Sequence, residues 1–343
     1  MMCKNTLFLR FLKITILAAL LAVSCRRAVP SPEGGMAYAR WFTLTPGGDV
    51  VLLSPDGGSD TIRVCAPMER LVCMSTSYIG FLEAIGAEDA VAAVSGLDFV
   101  GNGTVRDRAV DVGYDAALDY EAILRLQPDL FLTYTVSAAE PPYLAKLREL
   151  GIPVAVIREH LESHPLARAE YVKLFGALTG RQAQADSVFR EVSLRYDSLR
   201  VTDRKVKVLV NIPYRDQWYI PGGDNYMTRL IADAGGEVLG AVPGQVSSSV
   251  ISVEKAYAFA QEADIWLNPG WCRTRSQLAG VHPLFSSFPV LEKEVWNNTL
   301  QTTPGGGNLF WESGPVRPDL ILDDLVRIIS GQRGPMNYFV EVE

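Results

Sequence analysis

The sequence predicts an α/β protein of two Rossmann-like α/β lobes joined by one long bridging helix, with a β-hairpin added at the N-terminal end. Three observations support this prediction. From residue 70 onward, short apolar runs alternate with amphipathic segments, as in a sheet covered by helices. The 343 residues are 48% apolar, more than one small core usually needs. Between positions 185 and 199, apolar residues recur at spacings of three and four, which indicates one face of a long helix.

The beginning of the chain predicts export from the cytoplasm. Two lysines and one arginine precede the uncharged run 14–24, which is too short to span a membrane comfortably and ends in small residues directly before Cys25. We interpret residues 1–24 as a signal peptide. Residues 25–36 contain two prolines and two glycines, and we interpret them as a tether that precedes the folded body.

Charge and cysteine content disfavour two kinds of partner, nucleic acid and a bound metal ion. The formal net charge is −7, and removing residues 1–24 takes away three positive charges and no acid, so a nucleic-acid partner is not expected. The cysteines beyond Cys25 are Cys65, Cys73 and Cys272, whose spacing matches no metal site or disulfide framework. Cys65 and Cys73 either pair across a turn in an oxidising compartment or remain two free thiols.

The order of the elements divides the body into lobes. Residues 37–65 are predicted to form a β-hairpin or small meander, because alternating apolar residues flank two segments rich in Pro, Gly and Asp. Strands and helices then alternate in residues 66–180, the N-terminal lobe, and again in 204–333, the C-terminal lobe. Residues 181–203 are the bridging helix, and 334–343 are a tail. A helical connection is stiff, so we expect small rather than wide closure of the lobes.

Four segments, in order, carry a resemblance to a known family. They are LVCMSTSYIGFLEAIGAED at 71–89, LDYEAILRLQPDLFL at 118–132, PGGDNYMTRLIADAGG at 221–236 and VISVEKAYAFAQEADIWL at 250–267. Together they resemble the periplasmic binding proteins of the iron-siderophore, haem and cobalamin ABC importers, the class in which one helix joins two α/β lobes. The resemblance covers residues 66–333. It implies a receptor rather than an enzyme, with no intrinsic cofactor, whose bound ligand is an iron chelate, haem or a corrinoid.

The sequence departs from that family at a few positions. Ser75 and Thr76 stand where many relatives have Pro-Ser, and the N-terminal hairpin is an addition to the common core. The residues before Cys25 resemble a bacterial lipobox, with Ala22 where leucine is usual. We expect lipidation of Cys25 and a periplasmic location with an anchor in a membrane. Cleavage without lipidation is the alternative.

Two glutamates are candidates for docking on a permease. Glu121 and Glu254 each stand in the first turn of a predicted helix, one in each lobe. The resemblance implies that glutamates at these positions pair with arginines of the transmembrane subunits, which would fix the register and orientation of docking. The alternative is that each carboxylate only complements a helix N-terminal dipole, worth under about 1 kcal/mol.

The candidate ligand contacts lie in loops at the carboxyl ends of the predicted strands, where α/β sheets open their crevices. These loops are rich in aromatic residues, which offer apolar faces and a few directional hydrogen bonds to a planar ligand. For each single aromatic residue, burial in a lobe core is the alternative. The candidates are Ser75, Thr76, Tyr78, Asp98, Phe99, Tyr114, Tyr134, His160, Tyr214, Trp218, Tyr219, Trp271, Asn308 and Trp311.

No resident metal site is predicted. His160 and His164 are four residues apart, the spacing of two ligands on one helical face, but Pro165 disfavours helical geometry at His164 and only His282 remains as a third ligand. If the ligand is haem, the axial ligands to its iron could come from His160 or from a tyrosine. The favoured alternative for His160 is a histidine at the surface or at a hinge. The candidate tyrosines are Tyr78, Tyr134 and Tyr214.

Two further interpretations remain open beside the ABC importer receptor. The glycines at 101 and 103 lack the third glycine of a dinucleotide loop, and no Gly-x-Ser-x-Gly elbow occurs. An enzyme is therefore a weaker interpretation; it would be a periplasmic chelate-processing enzyme that uses Glu159 and His160. The other is a surface lipoprotein that holds chelates without a permease partner.

Overall fold

The computed structural model of the chain describes residues 36–136, 140–201, 203, 205–215 and 217–343. The predicted signal peptide, Cys25 and all of the tether except Met36 lie outside the described residues. Within the described ranges, no helix combines the length and the apolar character that crossing a membrane requires.

A three-stranded antiparallel sheet opens the described chain. Its strands are β1 (Phe42–Leu44), β2 (Val50–Leu53) and β3 (Ser59–Ile62), paired in that order. This is the meander expected in the region. Phe42 packs against Tyr171 with ring centroids 4.5 Å apart, and the inward side chains of β1 and β2 are buried. The sheet therefore shares the core of the N-terminal lobe.

Two buried carboxylates fix the segment that leads into this sheet. The backbone amides of residues 37–39 donate to Glu170 at 2.7–2.9 Å, and those of residues 40 and 41 donate to Glu162 at 2.8 and 3.1 Å. The Lys173 Nζ also donates to Glu170, at 3.0 Å. Because both carboxylates are almost fully buried, these bonds replace the water that the amides would otherwise bind.

The N-terminal lobe is built on a five-stranded parallel sheet of order β6-β5-β4-β7-β8. The central strands β4 and β7 are buried along their whole length because helices cover both faces. The strands are β4 (Leu71–Cys73), β5 (Val91–Val94), β6 (Val110–Asp111), β7 (Leu130–Thr133) and β8 (Val154–Val156).

Six helices accompany this sheet, and their first residues explain where they begin. Ser75 caps the first and Asp119 caps the third, each through a side-chain oxygen that accepts a backbone N–H, and Pro142 is the first residue of the fourth. The helices are α1 (Thr76–Ala84), α2 (Gly103–Arg108), α3 (Tyr120–Leu126), α4 (Pro142–Glu149), α5 (Pro165–Ala169) and α6 (Val172–Thr179).

The cysteines in the described residues are all free. Cys65 is exposed after the meander, whereas Cys73 is buried in β4 and Cys272 is buried in the C-terminal lobe. Burial raises the pKa of the Cys73 thiol, because the thiolate would lose its hydration. Of the two alternatives for Cys65 and Cys73, the structure therefore has the free thiols.

The C-terminal lobe has a second five-stranded sheet, of order β11-β9-β13-β14-β15, and a separate pair β10-β12. The strands are β9 (Val206–Val210), β10 (Trp218–Ile220), β11 (Gly236–Val238), β12 (Ser249–Ile251), β13 (Ile265–Leu267), β14 (Glu294–Asn297) and β15 (Val340–Glu341). The helices of this lobe are α8 (Tyr226–Asp233), α9 (Val253–Glu262), α10 (Arg275–Ala279), α11 (Leu309–Glu312) and α12 (Pro318–Ser330).

The last residues correct the prediction of a tail at 334–343. β15 pairs antiparallel with β14 and closes one edge of the otherwise parallel sheet. The backbone amide of Asn337 and the next two amides donate to the buried carboxylate of Asp324 on α12 at 2.7–3.2 Å. The segment is therefore part of the lobe, because both its strand pairing and its turn are fixed by hydrogen bonds.

The bridging helix is α7 (Gln182–Leu199), within the range predicted for it. It packs on α6 of the N-terminal lobe and on α12 of the C-terminal lobe, and it buries Phe189 and Tyr196. The Tyr196 hydroxyl donates to the Asp233 carboxylate on α8 at 2.8 Å. A Cβ atom at Gly176 would lie 2.6 Å from Ala185 Cβ, so glycine allows α6 and α7 to approach this closely.

The lobes also touch each other directly. The Glu312 carboxylate on α11 accepts hydrogen bonds from the backbone amides of Gly101 and Asn102 in the N-terminal lobe, at 2.7 and 2.9 Å. The Thr303 hydroxyl donates to the Asp98 carbonyl at 2.7 Å. The helix is therefore one of several connections between the lobes.

Candidate functional site

The candidate site is at the carboxyl edge of the second sheet, where three strands each run into an asparagine. Asn211 follows β9, Asn268 follows β13 and Asn298 follows β14. Asn211 and Asn268 have φ of 67° and 57°, a left-handed conformation that asparagine tolerates better than most side chains. The chain turns sharply at both residues, which leaves a depression beyond the ends of the strands.

That depression is a cavity of about 580 Å³. None of the described residues that line it carries a charged side chain. Its hydrogen-bonding side chains are Asn211, Asn225, Asn268, Asn298, Asn308, Ser248, Thr299, Thr302 and Tyr226, and its indoles are Trp271 and Trp311.

Hydrogen bonds hold most of the asparagine amides in place. The buried Asn297 donates from Nδ2 to the carbonyls of Gly270 and Cys272 at 2.8 and 3.0 Å. Its Oδ1 accepts the backbone N–H of Asn298 at 3.0 Å. Asn308 caps α11 and donates to Asn298 Oδ1 at 3.4 Å. These bonds set the orientation of the cavity wall before any ligand arrives.

One polar atom of the wall has no such bond. Asn268 Oδ1 is inaccessible to solvent and has no hydrogen-bond partner among the described residues. A buried oxygen without a donor costs free energy, because it has lost water and gained nothing in return. The Asn268 amide therefore has hydrogen-bonding capacity that the described residues do not use.

Exposed aromatic side chains stand at the mouth of the site. Trp271 and Trp311 line the cavity with 67% and 46% of their surfaces exposed. Tyr214 and Tyr219 are also exposed, on the loop after β9 and on β10. Indole and phenol faces of this size can cover a planar ligand while their polar atoms stay hydrated.

The N-terminal lobe contributes a second set of aromatic residues at the carboxyl edge of its own sheet. Phe99 and Tyr114 meet edge to face with ring centroids 6.5 Å apart, and Tyr134 and His160 do so at 5.8 Å. His160 Nε2 lies 3.1 Å from the Thr135 carbonyl oxygen, and burial lowers the pKa of the imidazole. Asp98 is exposed beside Phe99, and Ser75 and Thr76 are half-buried at the start of α1.

Two predicted ligand contacts are wrong, because both side chains are inside the lobes. Tyr78 is 1% exposed, and its hydroxyl donates to the Thr133 carbonyl at 3.0 Å. Trp218 is 0% exposed, donates to the Val210 carbonyl at 2.8 Å and stacks on Trp266. Neither can touch a ligand in the crevice, and Tyr78 cannot serve as an axial ligand to iron.

A buried ion pair lies beside His160. Both Glu159 and Arg168 are almost fully buried and are paired at 2.9 Å, and the Ser77 hydroxyl donates to Glu159 at 3.1 Å. The Arg168 guanidinium lies 4.1 Å from the ring centroid of Tyr226, which lines the cavity in the other lobe. Glu159 is therefore part of the contact between the lobes, and its charge is already compensated.

His164 has a structural role. Its Nδ1 accepts the backbone N–H of Leu166 at 3.0 Å and so caps α5. Burial lowers the pKa of His164 to about 4, because the imidazolium would lose its hydration. No cluster of three or more His, Cys, Asp or Glu side chains suitable for a metal ion occurs in the part of the chain that the structure describes.

Glu121 and Glu254 are both exposed in the first turns of α3 and α9. A hydrogen bond from Ser252, the cap of α9, lowers the pKa of Glu254. Each helix precedes a parallel strand, β7 or β13, so its first turn lies at the carboxyl edge of its sheet. Both carboxylates are therefore on the side of the molecule where the crevice opens.

The chain matches a known family model and a curated relative. The model described as periplasmic binding protein matches residues 71–289. An uncharacterized lipoprotein of Methanocaldococcus jannaschii is 25% identical over 280 residues, which are 77% of this chain and 65% of that protein. The matched region thus spans slightly less than two thirds of the length of this relative.

Solved structures with low sequence identity have the same fold. A periplasmic haem-binding protein from Pseudomonas aeruginosa superposes with a TM-score of 0.59 at 17% identity, covering 80% of this chain and 98% of the other. A periplasmic vitamin B12-binding protein from Vibrio cholerae does so with a TM-score of 0.55 at 15% identity, covering 77% and 97%. Both matches extend over the two lobes.

Proposed function

The chain belongs to the periplasmic binding protein family, and from that membership we propose that it is the substrate-binding lipoprotein of an ABC importer. In this proposal it captures a metal chelate between its lobes, namely a ferric siderophore, haem or a corrinoid, and presents it to the transmembrane permease. The observation that carries the proposal is the cavity at the carboxyl edge of the second sheet, with exposed indoles beside it.

The size and surface of the cavity support a chelate as the ligand. A volume of about 580 Å³ is within the range of small-molecule sites. A larger chelate would extend from it toward the aromatic residues of the N-terminal lobe. The names of two structural neighbours, which bind haem and vitamin B12, support this ligand class.

The permease partner is supported by the two docking glutamates. Glu121 and Glu254 are exposed, belong to different lobes and lie on the crevice side. Two separated charges on a stiff body would fix the orientation of docking on a partner with matching arginines. Lipidation of Cys25 would hold the receptor at the membrane surface, and the curated relative described as a lipoprotein supports this anchor.

Thermal unfolding with candidate ligands tests the proposal. The protein purified from membranes of its host should melt at a higher temperature with haem, an uncharged corrinoid or a ferric siderophore, because binding to the folded state alone stabilises it. The ligand should be recovered unchanged by mass spectrometry. A chemically altered product would favour the chelate-processing enzyme, and ligand binding without uptake through any importer would favour the surface lipoprotein that only holds chelates.

A further inference from the structure

We infer that the cavity selects an uncharged ligand whose edge carries carboxamide or hydroxyl groups, in preference to anionic chelates such as haem or a ferric tris-catecholate. The inference rests on the proposed function and narrows its substrate class.

The described wall of the cavity lacks cationic side chains. No lysine, arginine or histidine is among the described residues that line the cavity. A carboxylate or catecholate moved there would lose its hydration without gaining the charge-assisted hydrogen bonds that sites for anions provide. An uncharged ligand pays no such penalty.

The nearby arginines are directed elsewhere. Arg168 is paired with Glu159 and lies against the Tyr226 ring. The Arg215 guanidinium lies over the Tyr214 ring at 5.2 Å from its centroid, on the loop after β9. Arg106 and Arg273 line a neighbouring cavity, which shares Thr299 and Thr302 with the candidate site. None of these arginines is a lining residue of the candidate site.

The side-chain amides of the wall also favour an uncharged ligand. A carboxamide offers both a donor and an acceptor, so asparagines can pair with a ligand amide or hydroxyl in either sense. The amide group of Asn211 is held by a bond from Nδ2 to the Tyr219 carbonyl at 2.9 Å, whereas Asn268 Oδ1 is buried and unpaired. The unpaired amide leaves hydrogen-bonding capacity in the cavity wall that a ligand carboxamide or hydroxyl group would use.

The opposing lobe carries exposed acidic side chains at the crevice. Asp98 and Asp115 are exposed in loops at the carboxyl edge of the N-terminal sheet. Both carboxylates would repel an anionic group of a ligand at that edge.

Competition among ligands of different charge tests the inference on the full protein. We expect an uncharged corrinoid to bind more tightly than haem or a ferric tris-catecholate by on the order of 100-fold, measured by calorimetry. Its affinity should change little between about 0.05 and 0.5 M salt, because no ion pair forms. Tightest binding of an anionic chelate, weakening with salt, would overturn the inference and leave the proposed function intact. Binding of no probe would overturn both.

The Asn268→Gly variant tests the amide wall. Glycine suits the left-handed backbone at this position and removes the unpaired oxygen, so the variant should be at least as stable as the parent. Corrinoid binding should weaken about 10-fold, because the cavity wall loses an amide that would pair with the ligand.

A matched control separates the backbone effect from the ligand contact. Gln127 also has a positive φ, 46°, but it ends α3 outside the cavity. Gln127→Gly should therefore leave corrinoid affinity unchanged. Equal affinity of the Asn268→Gly variant and the parent would contradict the role of this amide. Should Asn268→Gly fail to fold, Thr302→Arg supplies an independent reading, because a cation in the wall should shift preference toward haem about 10-fold.

Discussion

Arg168 is a single residue that serves both lobes. It compensates the buried charge of Glu159, and its guanidinium covers the ring of Tyr226. Replacing it would leave the carboxylate buried without a partner, a loss typically more severe than removing both charges. Arg168 therefore has two effects on the contact between the lobes. It neutralises a carboxylate that would otherwise be buried unpaired, and it packs on a ring of the other lobe.

Arg168→Met should lower the free energy of unfolding by about 3–5 kcal/mol, the usual effect of stranding a buried charge. The double variant Arg168→Met/Glu159→Gln should recover a large part of that loss, because the remaining groups are neutral. Urea denaturation of the variants measures both values. Lys146→Met is the control, since its partner Glu149 is exposed, and it should change stability by under about 1 kcal/mol. No difference between the single and double variants would contradict the assignment.

His164 gives one lobe a dependence on pH. Its pKa is lowered from 6.5 to about 4 in the folded protein, so the unfolded chain binds the proton more readily. The stability that it contributes is present above pH 6.5 and is lost as the pH falls from 6.5 toward 4. His164→Asn keeps an oxygen to cap α5 but removes the titration. The parent and this variant should therefore differ less in their thermal unfolding midpoints, or change order, as the pH falls from 6.5 toward 4. A difference that stays constant over this range would contradict the role of His164.

At the level of residues, the sequence predicted exposure better in loops than in elements. Trp271, Asn308 and Trp311 were expected at the site and do line the cavity. Tyr78 and Trp218 were placed there because they are near strand ends, but their neighbours in helix and strand turn them inward. A side chain's direction within an element depends on packing partners that are distant in sequence.

The sequence did contain a signal for the asparagines that the prediction missed. Asn268 directly follows the short apolar run 265–267, and a polar residue at the end of a buried strand of an α/β sheet often binds ligand. Asn298 follows β14, a strand that was not predicted, so no strand end marked its position.

Among the elements, the segment before the meander depends on buried carboxylates for its position. Glu170 receives three backbone amides and the Lys173 ammonium, so both of its oxygens are used. The segment has no strand partner of its own over residues 37–39. The segment should therefore become more mobile when the Glu170 carboxylate no longer accepts these hydrogen bonds.

Glu170→Gln would replace one acceptor oxygen with an NH₂ group that faces backbone donors. We expect a loss of about 1–3 kcal/mol in stability, as for other buried groups left unpaired. Hydrogen exchange of the amides at residues 37–39 should accelerate more than exchange in the parallel sheets. Glu149→Gln, at an exposed glutamate of α4, is the control and should change neither. Unaltered exchange at 37–39 in Glu170→Gln would exclude this role.

Helices with clear end signals begin where the sequence marks them. The starts of α3, α4 and α12 follow from Asp119, Pro142 and Pro318. The pair β10-β12 and the edge strand β15 were missed, because short strands gain their stability from partners far along the chain. The alternation of apolar and polar residues within one strand does not show which distant strand it pairs with.

For the whole molecule, the proposed docking role of Glu121 and Glu254 predicts how it would meet a permease. The double reversal Glu121→Lys/Glu254→Lys should reduce uptake in cells to near background, because it opposes like charges across the interface. Affinity for the chelate and melting temperature of the purified receptor should stay near parental values, since both side chains are exposed.

Glu149→Lys is the matched charge reversal for this experiment. Glu149 is exposed at the end of α4, which precedes β8, so it lies at the opposite edge of the sheet from Glu121. Its reversal should leave uptake unchanged. Normal uptake by the double variant would show that Glu121 and Glu254 act only at their own helix starts.

The several connections between the lobes have a consequence for the kinetics of import. The helix α7 packs on both lobes, and Glu312 of the C-terminal lobe accepts hydrogen bonds from the N-terminal lobe. Empty and loaded receptors would therefore present nearly the same surface to a permease. A permease that recognises this surface would bind both forms, and empty receptors would then compete with loaded ones for the same transporters. Import would depend on the ratio of receptor to permease, and overproducing the receptor at limiting chelate would slow uptake.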